Sequence, residues 1–271
     1  MEDRKQSRKI ILFPDFAVLK AEVEKLRTEL SMLLLEQDEL VYVECKNIEM
    51  AYMLSLGNLE YQVYELHCAV LRLKRKTELI QAKKNRQEKV VLFVIEQILD
   101  EEFAEYQAQL DEQIHRMNAA IERSRGKFLS QEETRELKRL YRSVVKALHP
   151  DLHPDISDAQ AELFRNAVLA YKSGDLNTLR IISGMVSGPE PIKEGETGMS
   201  ELLREKERLI SLIQELRDDI AKIKNEYPYT MKEIVQSEEK TAEKRGQLEE
   251  LIIQLKKNLE FYQSRIGEML R

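Results

Sequence analysis

Tryptophan is absent from this 271-residue chain, and glycine (9), proline (6) and cysteine (2) are sparse. Aromatic residues make up only 6%. Sheets and tight hairpins draw heavily on glycine, proline and aromatic side chains, so this scarcity argues against a β architecture. Two distant cysteines, Cys45 and Cys68, cannot build a disulfide framework or a zinc site, and a reducing, cytoplasmic setting is expected. Long apolar runs are missing too. Ile10–Phe13 is followed at once by Pro14, too short a run for a signal segment or a membrane span, so no membrane partner is expected. There is no glycine-rich phosphate loop, nucleophile elbow or metal-ligand cluster, which leaves enzyme, cofactor and metal readings without support.

What is present is charge, at 34% of residues, and thin apolar stripes. Phe16, Leu19, Val23, Leu26, Leu30 and Leu33 recur at three and four residues, the seam of a helix that pairs with another helix. Gly57-Asn58 reads as a helix stop. A second seam opens at Leu59, Val63 and Leu66 and is read as one helix to about Arg125. Two seams joined at a Gly-Asn break predict an antiparallel hairpin over residues 1–125, with one continuous dimerising helix as the rival reading. Residues 187–198, with two prolines and three glycines, read as a linker. Beyond it, a seam from Leu202 to Ile223 and another from Leu248 to Met269 predict a second, unequal coiled-coil hairpin over 199–271. The overrun of its last seam is expected to pack on the central module or on a second chain. The expected class is all-α, with long antiparallel helical hairpins flanking a small module at 126–186.

Residues 72–89 hold eight basic and two acidic residues, and residues 96–112 hold seven acidic and no basic ones. With a net charge of −6 for the whole chain, nucleic acid is disfavoured; the basic block reads as a solvated helix face, and the two blocks could pair between chains.

The central module is more informative. Ser130 and Glu133 form a capping-box pattern. Leu137, Leu140, Tyr141, Val144, Val145 and Leu148 follow one wide helical stripe. The opposite side carries Arg135, Lys138, Arg139, Arg142 and Lys146, and the ridge Lys138–Arg142–Lys146 would attract an acidic protein surface. Pro150 stops the helix and biases His149 away from helical dihedrals, so the loop is expected to present His149 and Asp151 to solvent. The same proline denies His149 and His153 the i, i+4 helical face that a metal pair would need. A following helix carries Phe164, Ala167, Val168 and Tyr171 on one side, able to pack antiparallel on the first.

Leu137, Lys138, Tyr141, Arg142, His149, Pro150 and Asp151, then Phe164, Ala170 and Tyr171, resemble helix II, the His-Pro-Asp loop and helix III of the DnaJ family's J-domain. The likeness covers about 35 residues. The family's Tyr-x-x-Leu-Gly opening, its Gly/Phe-rich stretch and its cysteine-rich repeats are absent. The resemblance implies a non-enzymatic co-chaperone that docks on a DnaK-type chaperone through His149, Pro150, Asp151, Lys138, Arg139, Arg142 and Lys146, and stimulates ATP hydrolysis there. The coiled coils would bring a client, a scaffold protein or a second copy. The alternative is a structural coiled-coil scaffold in which the J-like module has become a packing unit.

Overall fold

The computed structural model describes residues 14–126, 129–186 and 199–271, so the expected linker at 187–198 lies outside the described residues. Among the described residues the regular elements are all helical. In chain order they are α1 (Pro14–Glu39), a π-turn (Leu40–Glu44), α2 (Cys45–Tyr52), a second π-turn (Met53–Gly57), α3 (Asn58–Asn85), α4 (Leu92–Glu102), α5 (Ala104–Arg125), α6 (Gln131–Leu148), α7 (Asp158–Ser173), α8 (Leu176–Met185), α9 (Met199–Asn225), a 3-10 turn (Tyr229–Met231), α10 (Lys232–Gln236) and α11 (Glu238–Met269). The described residues fall into two compact units, one drawn from residues 14–44, 129–186 and 199–226, the other from 45–126 and 227–271.

The first unit joins the central module to a pair of long helices. Leu19, Val23, Leu30 and Leu34 of α1 are buried, as are Leu202, Leu209, Ile213, Leu216 and Ile220 of α9. The two helices pack along each other. Their ion pairs give the direction: Glu22 with Lys206 (2.6 Å), Glu29 with Arg217, and Glu36 with Lys224 (2.7 Å) advance together, so α1 and α9 run parallel. The expected seams are therefore real, but α1 takes a helix more than 160 residues away as its partner instead of folding back on its successor.

The second unit shows where the chain does turn back. Gly57 keeps helical dihedrals, φ −57° and ψ −37°, and α3 continues from the π-turn without a break. A Cβ there would come within 3.1 Å of Met53 Sδ, so this glycine makes room for a side chain and does not end the helix. The turn comes instead after Asn85. Gln87 adopts φ 57°, its N–H donates to the Lys84 carbonyl (2.9 Å), and the Glu88 N–H donates to the Lys83 carbonyl (3.0 Å). That is a Schellman ending, most often built on glycine. Here glutamine occupies the left-handed position, and the stop is invisible to a search for glycine. The chain returns as α4 and α5, antiparallel to α3, with Arg72 bound to Glu96 (2.7 Å) and Asp100 (2.6 Å), and Arg75 held by Glu102. The basic and acidic blocks thus pair within one chain.

α11 lies along α3 in parallel. Leu248 joins Tyr52, Met53 and Leu56 at one end, and Ile266 joins Ile80, Ile95 and Leu99 at the other. The Leu248–Met269 seam thus packs on α3 of its own unit. Cys45 and Cys68 are both buried and are not joined by a disulfide. No helix among the described residues is long and apolar enough to cross a membrane.

Candidate functional site

The central module is built as its pattern suggests. Ser130 Oγ accepts from the Glu133 N–H (3.2 Å), and the Ser130 N–H donates to Glu133 Oε2 (2.8 Å), starting α6 with a complete capping box. Ser157 and Gln160 repeat the device at α7. Gly174, at φ 71°, ends α7 in the left-handed region that glycine reaches without strain. Leu137, Tyr141, Val144, Val145 and Leu148 of α6 are buried with Phe164, Ala167, Ala170 and Tyr171 of α7 and with Leu176, Leu179 and Ile182 of α8. Tyr141 stacks on Tyr171 at 4.1 Å between centroids, and His149 meets Phe164 edge-on at 4.9 Å. One pair advances as the other retreats, so α6 and α7 are antiparallel and the His149-Pro150-Asp151 loop sits at their junction.

The loop differs from expectation at its first residue. His149 has φ −66° and ψ 127°, the extended conformation that the following proline favours. With that backbone the ring turns back onto Phe164, and its side chain is only 15% exposed. Nδ1 accepts a hydrogen bond from the Asp151 N–H (3.1 Å), which places the neutral ring's proton on Nε2. Burial holds the His149 pKa below its ordinary value, opposed by the nearby Asp151 carboxylate and assisted by His153. His153 Nε2–H donates to the Lys146 carbonyl (2.7 Å), satisfying one of the open carbonyls at the end of α6. Pro150 is exposed and Asp151 half-buried.

The basic ridge is divided between two tasks. Arg139, Arg142 and Lys146 are exposed. Lys138, expected to join them, instead pairs with Glu39 of α1. One turn on, the Tyr141 hydroxyl donates to Asp38 Oδ2 (2.6 Å). Burial raises the Asp38 carboxyl above its usual range, with the Tyr141 hydrogen bond and the Lys172 charge opposing. On the far side, Arg180 of α8 forks onto Glu136 (2.9 and 2.6 Å).

A third helix reaches the loop. Arg208 of α9 donates from Nη2 to the Asp151 carbonyl (3.0 Å) and is itself held by Glu205 (2.8 and 3.0 Å), which also binds Arg27 of α1 (3.2 Å). Asp38, Glu39 and Arg208 are neighbours of the module that the motif could not disclose. Each lies more than 50 residues from its partner in the module, and no local pattern distinguishes it from the other charges of a long helix. No group of three or more His, Cys, Asp or Glu side chains among the described residues is placed to hold a metal ion. The site presents an exposed cationic face, a proline-stiffened loop, and a neutral, mostly buried histidine. No protein-family model, curated protein or solved structure matches this chain.

Proposed function

We propose that the chain acts as a J-domain-type co-chaperone, with α6 and the His149-Pro150-Asp151 loop docking on a DnaK-type chaperone and stimulating its ATPase. The observation that carries this reading is the antiparallel α6/α7 pair with the tripeptide at its junction, beside the exposed Arg139, Arg142 and Lys146. Cations on one helix face speed encounter with an acidic partner, while the loop beside them supplies the specific contact. On this reading the chain acts by binding, and the bond-making chemistry is the chaperone's. Met32 of α1 and Leu203 and Ile210 of α9 remain exposed, and on this reading a client would use such apolar positions.

A second reading, a scaffold protein with a J-like packing unit, is favoured by one specific observation: Glu39 and Arg208 engage Lys138 and the Asp151 carbonyl, groups that a partner would otherwise use. ATP turnover by a DnaK-type chaperone separates the two. Wild-type protein should accelerate turnover; His149→Gln should lose the effect even at saturating concentration; Arg139→Glu with Arg142→Glu should mainly raise the concentration required. No acceleration by wild type, or equal acceleration by His149→Gln, would leave the scaffold reading in place.

A further inference from the structure

The connection between α3 and α4 carries an unusual surface. Four consecutive apolar residues are exposed there: Val91 (44%), Leu92 (41%), Phe93 (71%) and Val94 (45%). Beside them Lys84, Arg86 and Lys89 are exposed, and Lys83 is paired with Glu88. Residues 83–94 thus hold four cations and one anion in a chain whose net charge is −6.

Geometry narrows the choice of occupant. Val91 is the N-cap of α4, and Leu92, Phe93 and Val94 form its first turn. Successive helical residues are rotated by about 100° from one another, so these side chains radiate around the helix end and no flat protein face covers all of them. A second copy meeting tip to tip would bring like-charged clusters together. A single-stranded nucleic acid would need stacking platforms, and three of the four side chains are aliphatic, without a π-face. The headgroup boundary of a lipid layer surrounds whatever enters it, accepts aromatic and aliphatic side chains together, and attracts lysine and arginine when the lipids are anionic.

We infer that the α3–α4 turn is a peripheral docking tip for anionic lipid surfaces. Phe93 and its apolar neighbours enter the headgroup boundary, and Lys84, Arg86 and Lys89 bind lipid phosphates around them. This amends the expectation of no membrane partner without requiring a spanning helix, and it does not depend on the co-chaperone reading. The net negative charge of the whole chain disfavours other approaches to an anionic surface, so the tip leads.

The absence of tryptophan makes the test direct. Phe93→Trp, made in the 271-residue chain, places a single indole at the α3–α4 turn. Its emission should shift to the blue on adding vesicles of phosphatidylcholine with 30% phosphatidylglycerol, and not with phosphatidylcholine alone. Val18→Trp, at an exposed position of the other unit, should not shift. In vesicle flotation, Lys84→Glu with Arg86→Glu should weaken binding more than tenfold, since each neutralised cation is worth about fivefold near an anionic surface. Phe93→Ser should weaken it comparably, with helicity unchanged by circular dichroism. No shift for Phe93→Trp, an equal shift for Val18→Trp, binding indifferent to lipid charge, or flotation unaffected by both tip variants would each overturn the inference.

Discussion

Replacing His149 with glutamine tests the loop as a physical object before it tests any activity. The ring has two holds on the module: an edge-on contact with Phe164 at 4.9 Å, and a hydrogen bond at 3.1 Å accepted from the Asp151 N–H. Aromatic pairs contribute about 0.5–1.5 kcal/mol beyond burial. A neutral hydrogen bond adds about 0.5–1.5 kcal/mol, part of which the glutamine carbonyl can restore. The expected loss is about 1–2.5 kcal/mol, which speeds amide exchange through opening of the α6–α7 pair by about 5- to 70-fold. Hydrogen exchange with mass spectrometry on peptides covering 137–148 and 164–171 reads this at pH 7.5. The pH dependence has a definite sign. An unfolded histidine titrates near 6.5, and burial holds the folded His149 lower. Between those two values the unfolded chain binds a proton that the folded one refuses, so this group's stabilisation is complete above about pH 6.5 and is lost as pH falls. Glutamine does not titrate, so the gap between wild type and variant should be widest above pH 6.5 and narrow below it. Equal protection of the two proteins at pH 7.5, or a gap that widens on acidification, would refute the packed, neutral histidine.

Other expectations concern the contacts that hold the module. Tyr141→Phe removes the donor to Asp38 while keeping the stack on Tyr171, and should cost about 1.5–3 kcal/mol in urea unfolding, as for a hydrogen bond to a charged group; a double cycle with Asp38→Ala should recover most of that as coupling. Arg208→Met should speed amide exchange at residues 151–153 while leaving the middle of α6 protected, and unchanged exchange would show that α9 does not restrain the loop. Leu255→Lys places a charge in the buried α3–α11 seam and should cost at least the 2–5 kcal/mol typical of losing a core leucine, lowering Tm without changing the oligomeric state; dissociation of an oligomer would instead show the seam shared between chains.

Much was legible locally because its causes are local. The apolar spacing of α1, α9 and α11 marks the faces that are buried, since a helix repeats every 3.6 residues whatever it packs against. Capping at Ser130 and the stop at Gly174 rest on bonds spanning a few residues, and the order α6, loop, α7 follows from Pro150 and two stripes of matching width. What an apolar seam does not carry is the identity of its partner. Leucine and isoleucine seams are nearly interchangeable, so α1 could choose α9 and α3 could choose α11 only through the assembled chain, where charges such as Glu22 and Lys206 fall into register. The turn at Gln87 was hidden for a related reason: a non-glycine residue enters the left-handed region when the packing of α4 back onto α3 outweighs its strain. His149 shows the same division in one residue. The proline after it dictated an extended backbone, but whether the ring faced water or Phe164 depended on α7, folded back beside it, because side-chain burial is a property of neighbours in space and not of neighbours along the chain.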